Sequence, residues 1–263
     1  MSDTPGGIAM RRLLVLVLSL GILAAVTACV PPPSAPSVGD CAAPAAPGVD
    51  WHNCDKSNAH LPGVNLTGAN LSGTNLSGAN LSWGVQLTGA NLSGADLTGT
   101  NLSYSNLSGV DLAGADLTGT ALVGVQLTGA NLSGADLTGV DLSEAWLTGA
   151  DLTGANLSGA WMIWTDLTDA ILVGANLTGA VAGLAVMKRA DLTNANLTNA
   201  NMLGDLTDAI LVGANLTNVS LGHPSGVDLT GATGTPSNVG TIVYDNTTCP
   251  AGNVVPPGTC VYA

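Results

Sequence analysis

The chain has no phenylalanine, a single glutamate (Glu144) and only five lysine or arginine residues among 263. Each scarcity excludes something. Aromatic residues make up 3% of the chain, too few for a globular core built on large rings. The formal net charge is −13, and without clustered Lys and Arg there is no basic face for nucleic acid or anionic lipid. The three histidines (His52, His60 and His223) suggest no Ser–His–Asp or Cys–His arrangement, and no glycine-rich phosphate loop opens a helix. The spacing of His52 and His60 beside Cys41 and Cys54 matches no common zinc module. An enzyme is not expected, nor a cofactor, a metal or a small-molecule substrate. Cysteine is missing from the whole of residues 55–248.

What fills the chain instead is a five-residue phrase. From Leu61 to Leu221 a leucine returns at almost every fifth position, with a small residue two places before it, as in Ala69-Asn70-Leu71-Ser72-Gly73 and Ala135-Asp136-Leu137-Thr138-Gly139. On an α-helix, residues five apart step by about 140°, so the leucines would be smeared around the circumference. On a flat strand an odd period sends them to alternate faces. A short extended piece followed by a bend removes the conflict. Leucine and the residue two before it then share an inward face, the Asn or Asp between them points out, and Ser or Thr followed by Gly turns the corner. The inward partner is Ala at most repeats, otherwise Val, Thr, Ser or Gly, so the interior must be narrow.

This pattern resembles the pentapeptide repeat family, A(D/N)LXX. The resemblance implies an all-β fold, a right-handed quadrilateral β-helix with four repeats per coil and one repeat per side. About 33 centres then make about eight coils, roughly 40 Å of stack at about 4.8 Å each. The register breaks twice, with one residue added within Ser82–Gln86 and one missing between Met202 and Leu206. Weak centres at Met162, Ala182, Met187 and Met202 predict local widening or a bulge around 180–190 and at both breaks.

Steps of twenty residues sort the outward positions into columns. Two are regular: Asp96, Asp116, Asp136, Asn156, Asn176, Asn196, and Asn91, Asp111, Asn131, Asp151, Ile171, Asp191. Stacked amides there predict ladders, and the three successive aspartates predict raised carboxylate pKa values or a bound cation. The other two columns are irregular and contain Trp161 and Trp146. At the corner between them lie Tyr104, Gly124, Glu144 and Trp164, with Ile163 alongside. An insertion placed after Trp83 brings that residue into the same corner. Trp83, Tyr104, Glu144, Trp146, Trp161, Ile163 and Trp164 are therefore the candidate interaction patch, because clustered exposed aromatics mark binding surfaces.

The termini point to export. Arg11-Arg12 precede the apolar run Leu13-Leu14-Val15-Leu16-Val17-Leu18, which continues through Ile22, Leu23 and Val26 to Ala28, short for a membrane span of about 20 residues and of signal-peptide form, with Met10 an alternative start. Val26-Thr27-Ala28-Cys29 resembles the lipobox of bacterial lipoproteins, which implies lipidation of Cys29. Residues 1–28 are read as signal peptide and 29–40, rich in Pro and Ser, as a tether. Residues 41–60 and 222–263 are placed to cap an array over 61–221, and Thr241-Ile242-Val243-Tyr244 is a candidate strand over the final coil. Each cap holds a cysteine pair, Cys41 with Cys54 and Cys249 with Cys260, which an oxidising compartment permits to close as disulfides. The expected partners are a membrane, through the lipid anchor, and an unidentified protein; nucleic acid is not expected. The reading is of a lipid-anchored, extracytoplasmic interaction or spacer module of the cell envelope. The alternative comes from the family resemblance: some cytoplasmic members resemble duplex DNA and shield type II topoisomerases such as gyrase, and an acidic array suits that role.

Overall fold

A computed structural model describes residues 37–222, 225–234 and 236–237, together with the backbone of 247–248 and 254–255, all within the compact unit Ser37–Ala263. Residues 1–28, Cys29, Cys249, Cys260 and the Thr241–Tyr244 segment lie outside the described residues.

Every fifth residue bridges in parallel to the residue one coil ahead, and the bridges fall into four columns. Asp96, Asp116, Asp136, Asn156 and Asn176 form part of one column, and Gln86, Asn106, Gln126, Trp146 and Asp166 part of another. The partners lie about twenty residues apart, so four five-residue sides make one turn, as the family resemblance implied. The sides are too short to count as strands except at β1 (Asn201–Met202) and β2 (Ser220–Leu221), which pair in parallel across the C-terminal break. Beyond the stack, β3 (Thr247–Thr248) and β4 (Val254–Val255) form an antiparallel pair.

The backbone hydrogen bonds explain the five-letter phrase position by position. Leu97 N–H donates to Asp116 O one coil ahead at 2.8 Å, and Asp116 N–H donates to Ala95 O one coil behind at 3.0 Å. Gly99 N–H reaches Thr118 O at 3.1 Å, while Ala115 N–H closes the turn onto Leu112 O at 3.0 Å. One N–H per repeat remains, that of the Ser or Thr after leucine, and the outward Asn or Asp takes it. Thr118 N–H donates to Asp116 Oδ1 at 2.9 Å and Ser93 N–H to Asn91 Oδ1 at 2.9 Å. The residue expected merely to face water is thus the turn's cap, which is why its short acceptor side chain recurs. All five N–H groups of a regular repeat are accounted for.

Inside, leucines such as Leu71, Leu132 and Leu157 are fully buried, each contributing on the order of 1.5–3 kcal/mol by burial. Polar residues at the narrow inward position are also buried and satisfied: Thr100 donates to Leu76 O and Thr165 to Leu142 O, each at 2.8 Å. The expected amide ladder exists but threads through threonine hydroxyls. Asn215 Nδ2 donates to Thr198 Oγ1, Thr198 Oγ1 to Asn196 Oδ1, Asn196 Nδ2 to Thr178 Oγ1, and Thr178 Oγ1 to Asn176 Oδ1. Asn176 Nδ2 then donates to Asn156 Oδ1 at 3.1 Å.

The expected rise in carboxylate pKa is not found at Asp116. The N–H and then the hydroxyl of Thr118 hold its carboxyl below the usual range, outweighing a small desolvation. Asp205 is lowered likewise, first by the Thr207 hydroxyl, against desolvation and with further help from Lys188. A group with a depressed folded pKa stabilises fully above its unfolded value, about 4, and that contribution fades as pH falls through the lower folded value. Urea midpoints should therefore be level from neutral pH to about 4 and decline below it. A midpoint that rises on acidification would reverse the sign assigned to these turn-capping carboxylates.

The stack is longer than eight coils. One column runs Asp50, Asn70, Asn91, Asp111, Asn131, Asp151, Ile171, Asp191, Ile210, Asp228, ten rungs among the described residues. Two degenerate repeats within the expected N-terminal cap belong to it. Trp51 sits in the leucine place, 2% exposed, and Cys54 in the small-residue place. The covering piece is correspondingly short. Gly39 N–H donates to His52 O at 2.8 Å, Trp51 Nε1 to Ala43 O at 3.1 Å, and Lys56 Nζ to Cys41 O at 2.8 Å. Lys56 also lies 3.9 Å over the Trp51 ring, and Cys41 is disulfide-bonded to Cys54. Leu61 stays only half-buried because it lies on this terminal coil.

The coil spacing shows where residues enter and leave. It grows from twenty (His60 to Asn80) to twenty-one (Asn65 to Gln86), the expected insertion, and shrinks to nineteen between Val186 and Asp205. A third break follows, since Ile210 bridges Asp228 only eighteen residues on. Near 180–190 the bridges continue without a bulge. Met162, Ala182 and Met187 fill the interior with at most 2% exposure, and the widening is on the outside, where residues 183–186 and 203–205 line a groove.

Candidate functional site: an aromatic corner

The second turn residue of most repeats is glycine in the left-handed region, as at Gly119 (φ 67°) and Gly139 (φ 65°). One corner places large residues in that same conformation: Trp83 (φ 60°), Tyr104 (φ 56°), Glu144 (φ 62°) and Trp164 (φ 59°). A bulky side chain there costs of order 1 kcal/mol or more in backbone strain. Asn and Asp, which tolerate the conformation better, occupy most of the other non-glycine sites, such as Asn194 and Asp208.

The insertion does follow Trp83, and this aligns it with Tyr104 twenty-one residues on. Their rings stack with centroids 6.0 Å apart and planes 28° from parallel. Tyr104 in turn lies across Gly124, so closely that a Cβ at that glycine would collide with the ring's Cδ1 and Cε1. The three residues form a continuous contact along the edge, and the small residue at 124 is what lets the tyrosine lie down.

The flanking faces carry Trp146 and Trp161 at positions where most repeats have Asn or Asp. Replacing that acceptor removes the turn cap: among the described residues no side-chain oxygen takes the N–H of Thr148 or Ile163. Such a bond is worth about 0.5–1.5 kcal/mol. Trp146 and Trp161 bridge to Asp166 and Asp141 on adjacent coils, so each aromatic has a carboxylate beside it in its own column. Trp83, Trp146, Trp161 and Trp164 are all more than half exposed and Tyr104 is half exposed, whereas Ile163 is half-buried.

The candidate residues therefore lie on one corner and its two sides, and the structure extends the set. Leu184 and Leu203 continue the edge beyond Trp164, 57% and 49% exposed. Where the coil loses a residue, Gly183, Leu184, Val186, Leu203 and Gly204 line an open groove of ≈480 Å³. Twenty-residue steps from Trp164 would have reached Leu184, but the expectation of a bulge near Ala182 obscured it. His52 is engaged at the N-terminal end, its Nδ1 2.6 Å from Asp50 Oδ1 and its Nε2 3.1 Å from Ser37 Oγ. The Asp50 carboxyl is lowered chiefly by that His52 side-chain bond. Among the described residues no group of three His, Cys, Asp or Glu is placed to hold a metal.

Comparison with known proteins agrees with the repeat reading. The family model for pentapeptide repeats matches eight copies, over residues 50–83, 84–119, 105–143, 120–159, 135–172 and 170–204. No curated protein matches. Among solved structures, HetL, a pentapeptide repeat protein involved in heterocyst differentiation regulation in the cyanobacterium Nostoc sp. strain PCC 7120, is 30% identical. The match covers 80% of this chain and 86% of HetL, with a TM-score of 0.41. QnrB1, a plasmid-mediated fluoroquinolone resistance protein, is 23% identical over 67% of this chain and 91% of its own, with a TM-score of 0.29. A pentapeptide repeat protein of the Arabidopsis thaliana thylakoid lumen is 36% identical over 42% and 66%, with a TM-score of 0.15. These superpositions are loose, and no surface detail transfers from them.

Proposed function

Since the chain belongs to the pentapeptide-repeat family, whose members are in general structural or interaction modules, we propose that it is an exported, lipid-anchored scaffold that engages a protein partner at the bacterial cell envelope. The observation that carries the interaction half is the double concession at one corner. Trp83, Tyr104 and Trp164 occupy strained turn positions where glycine is the rule, and Trp146 and Trp161 displace turn caps beside them. Both run against the local rules of the turn, and both fall on the same edge. The export half is supported by the Arg11-Arg12 and apolar leader, the lipobox-like Val26-Thr27-Ala28-Cys29, the Pro-rich tether and the Cys41–Cys54 disulfide.

Two variants test the two halves separately. Cys29→Ala should abolish labelling by a fatty acid and release the protein from the membrane fraction; equal cytosolic distribution of both forms would end the export reading. Trp83→Gly, Tyr104→Gly and Trp164→Gly together should keep or raise the free energy of unfolding, by up to about 1 kcal/mol per site, while losing partners captured by proximity labelling in the envelope. If the triple variant unfolds, the rings are structural. The second reading, an acidic mimic of DNA that binds a type II topoisomerase, draws on the net charge of −13. It requires that purified protein alter gyrase supercoiling, and no effect would dispose of it.

A further inference from the structure

The corner is a checkerboard of rings and carboxylates, and its pattern has a chemical meaning. On one coil stand Asp141, Glu144 and Trp146; on the next, in the same three columns, stand Trp161, Trp164 and Asp166. The bridges Asp141 to Trp161 and Trp146 to Asp166 set two columns in register, and Glu144 N–H, which donates to Ile163 O at 3.0 Å, sets the third. Every carboxylate therefore adjoins an indole one coil away, at the usual spacing of about 4.8 Å.

None of these carboxylates is neutralised from within. The three described lysine and arginine residues are committed elsewhere. Lys188 pairs with Asp205 at 3.2 Å, Arg189 grips Asp169 with two bonds of 2.7 and 2.6 Å, and Lys56 lies over Trp51. Asp141 and Asp166 use one oxygen each to cap the turns at Ser143 and Thr168, and Asp166 Oδ2 accepts a long bond from Thr148. The side-chain carboxylate of Glu144, the chain's only glutamate, has no hydrogen-bond partner among the described residues, and the residue stands at the strained corner position itself.

We propose that this two-coil patch docks an arginine-bearing segment of a second protein. The proposal rests on the interaction reading above and names its chemistry. A guanidinium is planar and weakly hydrated, so it can lie on an indole face while its edge forms paired hydrogen bonds to a neighbouring carboxylate. An ammonium satisfies the charge but not the stacking. A nucleic acid is repelled by the same carboxylates. A segment rather than a free cation fits, because three columns offer sites in parallel. The same edge also runs on through Leu184 to the groove at Leu203, where Leu184, Val186 and Leu203 suit an apolar side chain following the arginines and Asp205, also on the lining, is paired with Lys188.

The probe is a synthetic peptide of about eight residues carrying two arginines and a leucine, titrated against the full chain by indole fluorescence and calorimetry. Its counterparts have citrulline, the neutral isostere, or lysine in place of arginine. The arginine peptide should bind at least about tenfold more tightly than the citrulline peptide, with lysine between. Trp161→Ala with Trp164→Ala should lose that affinity, as should Asp141→Asn, Glu144→Gln and Asp166→Asn together. The matched variant Asp96→Asn, Asp116→Asn and Asp136→Asn removes equal charge from another face and should bind like the parent. Glu144→Gln alone, which touches no turn cap, separates binding from any loss of folding. Equal binding of the arginine and citrulline peptides, equal loss in the two charge-matched variants, or no binding overturns the proposal. If corner variants still lose the envelope partner when the peptide fails, only the guanidinium chemistry is wrong. If both fail, the interaction reading falls with it.

Discussion

Leu132→Asp is expected to break the stack in its middle. Leu132 is fully buried, and its N–H donates to Asp151 O at 2.6 Å, so the side chain cannot turn outward without tearing a bond between coils. Truncation to alanine at such a site costs about 2–5 kcal/mol; an unpaired carboxylate adds several more unless it takes up a proton. The Asp variant should lose its cooperative melting transition at neutral pH and become sensitive to proteolysis near residue 132. Burial raises the pKa of the new carboxyl, so its penalty is present above that raised value and relaxes as pH falls below it. Leu132→Asn should be destabilised without that pH dependence. Retention of the parent's transition by Leu132→Asp would mean that the coil interior is wet or plastic. Each coil contacts only its neighbours, so coils on either side of the breach should keep residual structure.

Ala150→Phe and Asp151→Phe are expected to behave oppositely although they are adjacent. Ala150 is fully buried at the narrow inward position, and a ring there must push leucines out of their rotamers or spread the coil; overpacking of this kind costs about 1–3 kcal/mol or more. Asp151 points outward in a column that already accepts Ile171 and Ile210, both exposed. Its replacement should cost only the turn cap it gives Thr153, about 0.5–1.5 kcal/mol. A fall in thermal midpoint for Ala150→Phe no larger than for Asp151→Phe would refute the narrow interior. Volume thus excludes phenylalanine from the narrow inward position that Ala150 occupies.

How legible the fold was depends on which residues carried it. The period of five, incompatible with helix and flat strand alike, was enough to assign inward and outward positions, and the insertion near Trp83 could be read directly. The extent of the stack could not, because Trp51 and Cys54 stand where leucine and alanine are expected and conceal two repeats, even though Asp50, Asp55 and His60 keep the spacing. The third break was hidden for a similar reason, as only Leu229 marks the repeat beyond it. The role of the outward Asn and Asp was missed because the pattern shows where a side chain points and not which N–H lies beneath it. That N–H determined the Asp116 shift, against the repulsion expected from stacked aspartates. The aromatic corner was visible as a column of large residues. Its strain was not, because a positive φ at Trp83 or Trp164 is a property of the turn and leaves no mark on composition.

The hydrogen bonds between coils also fix how the array answers to force. They lie along the stacking direction, so a pull applied between the two ends of the stack loads them one coil at a time and not all together. Among the described residues the N-terminal coil is the reinforced one, tied by the Cys41–Cys54 bridge and by Lys56 bonded to Cys41 O. Yielding should therefore begin at the far end, where coils have lost residues, with each release freeing about twenty residues, or roughly 65–70 Å of chain. Stretched singly, the protein should give a ladder of small, nearly equal steps, and reduction of the disulfide should move the first of them to the N-terminal end.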